Sequence, residues 1–292
     1  MVTEIPPAGT YLDFRTAEET VGRALLQHFA LAFQSALSYA DEAALAAAAS
    51  KNFDVTDDAA PALAQVGGGI WAWQRYATEG LRPNDVPATD PGRWVRQVLP
   101  DPTRCGTTRY YQHVEYCDAR TPVFAAAKNA TSLWTRCRGQ TPALFVSPAG
   151  DRLEEASQTL AYYRHSLNFT LRVLSANWRG GVQAQMTPGR SEDAAADPGT
   201  YHAIGDLRDY LVKNNRLSVP RWVLKTQLGA KRVVQDRGPN RIYCDALDIT
   251  VICAVYTLAL GCELRKPFEL WLQLQDVLGA NVGEPNYMGA SS

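Results

Sequence analysis

Tyr163-Arg164-His165-Ser166-Leu167-Asn168-Phe169-Thr170-Leu171-Arg172-Val173 alternates for eleven residues. Tyr163, His165, Leu167, Phe169, Leu171 and Val173 fall on one side, and Arg164, Ser166, Asn168, Thr170 and Arg172 on the other. Successive side chains of a strand point to opposite faces, so this stretch predicts a long strand with one dry and one wet face. Such a strand belongs in an antiparallel or mixed sheet. His165 sits on the dry side, where a hydrogen-bonded core histidine is the natural reading. The surrounding segments agree. Leu247, Ile249, Val251, Cys253 and Val255 share a side opposite Asp248 and Thr250, predicting a strand over 242–259. Further strands are expected at 219–228 and 230–236. Ala143-Leu144-Phe145-Val146 reads as a buried strand ended by Pro148-Ala149-Gly150.

Helices are expected on either side of these strands. Thr16 and Glu19 form a capping box ahead of Val21, Leu25, Phe29, Ala32 and Phe33, so residues 16–40 read as the first helix. A second is expected over Pro122–Arg138, stopped by Gly139. The third, Tyr201–Lys213, has Thr200 as its cap, Tyr201, Ile204, Leu207 and Leu211 as its stripe, and Asn214-Asn215 closing it in the left-handed conformation. The fold class expected is α+β: a mixed or antiparallel sheet flanked by helices.

Residues 41–103 have a different texture and read as an inserted, β-rich appendage. Gly67-Gly68-Gly69 precedes the strand Ile70–Tyr76, a polar loop follows over 82–92, and Arg93-Trp94-Val95-Arg96 gives another short strand. Trp71, Trp73 and Trp94 suit either a sugar-stacking surface or the aromatic core of so small a module. The chain then divides into a core helix (1–40), the appendage (41–103), the α+β core (104–262) and a C-terminal extension (263–292). In the extension, Leu270, Trp271, Leu274 and Leu278 suggest a short amphipathic helix, though Phe268, Leu270, Leu272 and Leu274 also fit a strand.

Composition excludes several functions. The 292 residues carry 29 Lys and Arg against 30 Asp and Glu, which argues against a generally basic nucleic-acid binder and against a disordered polyelectrolyte. The balance is uneven along the chain. Residues 40–103 hold five basic and nine acidic side chains, and residues 104–190 hold eleven basic and five acidic. Cys105, Cys117, Cys137, Cys244, Cys253 and Cys262 contain no C-x-x-C pair, and with four scattered histidines they give no zinc-ligand spacing. They are expected to be reduced, small apolar residues of a protein made in the cytosol. No secretory signal is read at the start. The longest apolar run, Val251–Leu260, falls short of the roughly 20 residues of a membrane helix. No nucleophile elbow, H-E-x-x-H or phosphate loop occurs. No catalytic residue, cofactor site or metal site is therefore expected.

From Pro142 to Leu258 the order of segments resembles the tail terminators of long-tailed phages, in particular the Mu-like contractile group. Thr141-Pro142-Ala143-Leu144-Phe145-Val146 resembles the family's first core strand and Tyr163–Leu174 its long second strand. Asn177-Trp178-Arg179-Gly180-Gly181 resembles the R-G that ends it. Pro198-Gly199-Thr200-Tyr201 with Leu207, Arg208 and Leu211 resembles the next helix, and Tyr243-Asp245-Leu247-Asp248 the closing strand. The match covers about half the chain in separate pieces. The segment at about 41–120 is an insertion relative to the family.

The resemblance implies a non-enzymatic virion protein, made in the bacterial cytoplasm. It would form a six-membered ring on the head-proximal end of a tail tube, ending tube growth and joining tail to neck. The implied partners are copies of itself, the tube protein, and sheath and neck proteins, with DNA passing through the lumen without specific binding and no membrane. Placement on the wet side of the strand makes Arg164, Arg172, Trp178 and Arg179 candidate ring or tube contacts. Trp271 is a candidate for tail docking. Alternatives are another neck, sheath-capping or baseplate-adaptor protein, a carbohydrate-binding appendage protein using the three tryptophans, and a cytosolic enzyme built around His165 or His202.

Overall fold

The computed structural model describes residues 14–53, 58–98, 109–117, 130–155, 163–176, 199–215, 223–235 and 242–255. The fold is α+β, with helices and two mixed sheets. Helix α1 spans Phe14–Phe33, and strand β1 (Ala36–Tyr39) and helix α2 (Glu42–Ala47) follow. Strands β2 (Leu63–Val66), β3 (Gly69–Gln74) and β4 (Arg93–Gln97) complete a four-stranded sheet in sequential order, β1 and β2 parallel and the rest antiparallel. The second sheet contains β5 (His113–Tyr116), β6 (Ala143–Glu155), β7 (Tyr163–Ala176), β8 (Val223–Gln235) and β9 (Ile242–Val255) in the order β5-β6-β7-β9-β8. Its β5–β6 pair is parallel and the other pairs antiparallel. Helices α3 (Ala130–Arg136) and α4 (Thr200–Lys213) pack on this sheet.

The dry side of β7 is as expected: His165, Leu167, Phe169, Leu171 and Val173 are all fully buried. They join Leu247, Ile249, Val251 and Cys253 of β9 beneath Leu25, Phe29 and Phe33 of α1 and Ile204, Leu207 and Leu211 of α4. Phe33 meets Tyr210 edge-on at 5.3 Å and Tyr111 at 6.2 Å. Aromatic pairs of this kind add about 0.5–1.5 kcal/mol each beyond their buried area.

The other side of β7 is not uniformly wet. At one end Phe145, Leu174, Ile242 and Cys244 form a second apolar cluster with Leu133 of α3 and Cys137 just after it. Polar alternation therefore applies only to the middle of the sheet.

Four local expectations change. The first helix stops at Phe33, because the Ser35 amide donates to the Tyr111 carbonyl and the chain turns to pair Ala36–Tyr39 with β2. Thr16 lies inside this helix and is not its cap. Strand β6 runs on through Pro148 to Glu155, its register shifting between Pro148 and Gly150, where the glycine takes φ 109°. The two strands expected at 219–236 are one, β8, with three register shifts. Gly229 there approaches the Asp248 carbonyl so closely that a Cβ would lie 2.8 Å from its oxygen.

Helix α4 begins and ends differently too. Gly199 precedes it at φ 78° without a side-chain cap, and the Thr200 hydroxyl instead donates to Asp245. Asn214 closes the helix at φ −120°, its backbone and side-chain amides both donating to the Tyr210 carbonyl. The long excursion at 187–198, the tail beyond Val255 and residues 122–129 of the helix expected at 122–138 lie outside the described residues.

Candidate functional site

The middle of the sheet's polar side presents a row of bonded side chains across four strands. Register places Ser147 (β6) beside Thr170 (β7) and Thr170 beside Asp248 (β9). The Ser147 hydroxyl donates to the Thr170 carbonyl at 3.1 Å, and the Thr170 hydroxyl donates to Asp248 Oδ1 at 2.9 Å. Arg232 of β8 reaches the same oxygen at 2.6 Å, and this bond to a carboxylate raises the arginine's pKa. Arg172 donates to the Ser147 hydroxyl at 2.5 Å, and its half-buried guanidinium has a pKa lowered by desolvation. One pair further along, Thr250 donates to Asn168 at 2.7 Å. Arg152 and Lys225 are exposed at strand positions opposite Ser166 and Ile252. Ser147 and Thr170 are buried within this row, and the exposed cations around it, Arg152, Lys225 and Arg232, are the groups suited to contact another polar macromolecule.

Two further polar groups lie apart from that row. Glu115 is buried and accepts from Arg136 at 2.5 Å while pairing with His113 at 2.9 Å. Arg136 also reaches Asp58 at 3.5 Å, and Asp58 lies 3.8 Å from Arg23 of α1. This chain of charges ties α3, β5 and α1 to the segment entering the four-stranded sheet, and Ala59 bridges to Glu115 along the outer edge of β5. On the opposite side of the large sheet, Asp245 is fully buried, accepts from Thr200 at 3.0 Å and pairs with Lys231 at 3.2 Å. The Lys231 ammonium in turn lies 3.6 Å from the centre of the Tyr201 ring. A carboxylate at this position supplies the negative charge that favours a helix start and that Gly199 cannot supply.

His165 is a bonded core histidine, its Nε2 2.9 Å from Asp151 Oδ2. Its strand partner in β9 is Cys253. Burial raises the Cys253 thiol pKa, and it pushes those of Cys117 and Cys244 up to about 12 and that of Cys137 to about 11. These thiols are not thiolate nucleophiles at neutral pH. Among the described residues no group of His, Cys, Asp and Glu side chains is arranged to hold a metal ion, and no helix is long and apolar enough to cross a membrane.

The expected contact residues fall in different places. Arg172 belongs to the polar row. Arg164 stands in register with Glu154 and Ala254. Trp178, Arg179 and Trp271 lie outside the described residues.

The tryptophan surface needs correcting. Trp73 and Trp94 are buried, Trp73 tilted against Phe53 at 6.3 Å and Trp94 edge-on to it at 4.8 Å, because α2 and its following turn close over that side of the small sheet. Only Trp71 remains half exposed, in register with the exposed Arg96. Sequence reasoning passed over Arg232, Lys231 and Asp245. For Asp245 a signal existed: it holds an odd position in β9, in phase with Leu247 and Ile249, where a carboxylate needs a partner. No protein-family model and no curated protein matches this chain.

Proposed function

We propose that this chain is a structural virion subunit, a tail terminator that assembles into a ring and ends tube growth without catalysis. The resemblance over 142–258 supplies the identity of the particle. The observation that carries the assembly role is the exposed cationic row on the polar side of the five-stranded sheet, Arg152, Lys225 and Arg232, beside a four-stranded unit of mixed charge that exposes Asp41, Glu42, Glu79, Asp85 and Asp90 together with Lys51, Arg75, Arg82 and Arg96. A cationic face that meets acidic groups elsewhere on a second copy gives a head-to-tail contact, and one that closes on itself gives a ring. Complementary charge also speeds encounter and fixes register.

Light scattering and electron microscopy of the purified chain test the reading. A closed ring is expected at low salt, and Arg152→Glu with Lys225→Glu should leave a folded monomer. These exposed positions are better probes than Arg172, whose replacement would also remove the bond that the Ser147 hydroxyl accepts within the sheet. A chain that stays monomeric at all salt concentrations defeats the proposal.

A further inference from the structure

Each sheet has two edges, and they are not treated alike. The outer edge of β5 is met by Ala59, and that of β4 by Leu81, whose amide and carbonyl both bond to Trp94. The other two, β1 of the small sheet and β8 of the large one, end their sheets with no further strand among the described residues. Just before β1 the Ser35 amide still reaches the Tyr111 carbonyl, and past that point no described strand lies outside Ala36–Tyr39. On β8 the Thr226 amide donates to the Asn215 carbonyl, and the open edge begins at Leu228. Each open edge carries one exposed leucine, Leu37 at 54% and Leu228 at 40%. Their charges differ. Asp41 and Glu42, both exposed, follow β1 directly, whereas β8 exposes Lys225 and Arg232. Open edges of this kind are templates for pairing with another chain.

We propose that β8 of one copy pairs antiparallel with β1 of the next, so that the large sheet of each subunit continues into the small sheet of its neighbour. This contact rests on the ring proposed above and names the surfaces that build it. Charge sets its direction. An antiparallel approach of Ala36–Tyr39 along Leu228–Gln235 brings Asp41 and Glu42 toward Lys225, whereas a parallel approach carries them past Gln235. Arg232, the cation nearer that end, is already held by Asp248 at 2.6 Å. The β1 edge is also unguarded: Ala36-Leu37-Ser38-Tyr39 has neither the lysine or proline nor the bulge that keeps a natural edge from pairing. Because β1 and β8 are different edges, their contact is head-to-tail and repeats from copy to copy. Main-chain bonds supply its affinity, and the two leucines and the charges supply its register.

Hydrogen exchange of the full-length chain tests this, with particle mass read on the same samples. Amides at 36–39 and 228–233 should exchange about 100-fold more slowly in the ring than in the folded Arg152→Glu, Lys225→Glu monomer, while β7 amides match. Charge reversal tests the direction. Glu42→Lys should raise the half-assembly concentration about tenfold, and adding Lys225→Glu to it should restore assembly. A ring whose two edges exchange as fast as the monomer's, or a swap that restores nothing, refutes this inference alone. Edges equally protected in the monomer are covered within the chain and overturn it as well. A discrete dimer protected only at 36–39 pairs β1 with itself and overturns the unlike pairing. A chain that stays monomeric at every salt concentration refutes the ring and this contact together.

Discussion

The two sheets solve the same problem at different scales. The five-stranded sheet buries one face under α1 and α4, with a core of many aliphatic side chains and the Phe29, Phe33, Tyr110, Tyr111 and Tyr210 rings. The four-stranded sheet has short strands and one short helix, and it fills its core with three large rings, Phe53, Trp73 and Trp94, around Leu45, Ala64 and Val86. A small unit has less interior for its surface, so each large ring carries more of the burden. Its second face rests on α1 through Leu31, packed with Leu63, Ile70 and Ala72. Helix α1 therefore serves both cores.

The sharpest break in that comparison comes from Trp94→Ala, expected to cost about 3–5 kcal/mol. Exchange protection should vanish in β2–β4 while β7 and β9 stay protected. Loss of both together would show that the two sheets unfold as one unit. Phe169→Ala should cost a similar amount and remove protection from the large sheet first.

Acid should separate the two cores next. Burial lowers the His28 pKa from 6.5 to about 4, and His28 contacts Tyr210 in the large core. The folded form thus binds protons less readily than the unfolded chain. Its stability is complete above pH 6.5 and falls as pH drops towards 4, by up to about 3 kcal/mol. Denaturant melts of the His28→Gln variant should lack that part of the decline. Trp94 fluorescence should follow it only insofar as α1 couples the cores.

A smaller effect is expected at Gly22, where a Cβ would run into the Tyr116 ring. Gly22→Ala should cost about 1–3 kcal/mol through overpacking and should lower the thermal midpoint of the large sheet. The smallest belongs to the appendage. Asp41 accepts from the Ala44 amide as the cap of α2, so Asp41→Ala should cost about 1 kcal/mol, read as faster exchange within α2.

Local pattern carried the parts of the fold whose environment repeats every two residues. β7 and β9 were legible because every second side chain meets the same buried layer. β1 was not: Ala36–Tyr39 continues an Ala- and Leu-rich helical pattern, and it becomes a strand through pairing with residues 63–66, far along the chain. The course of β8 was hidden for a related reason, since its three register shifts break the period that would announce it. Of the candidate contacts, Arg172 was readable from alternation. The burial of Trp73 and Trp94 depends on α2 folding over them, which their own spacing does not encode.

The shared helix also has a consequence on the ribosome. α1 emerges more than 200 residues before the end of β9 at Val255, yet β9 is among the strands that cover its Leu25 and Phe29. At about 5–20 residues per second, synthesis leaves that apolar stripe waiting on the order of ten to fifty seconds. The nascent chain thus has reason to engage a chaperone during translation, well before the large sheet closes.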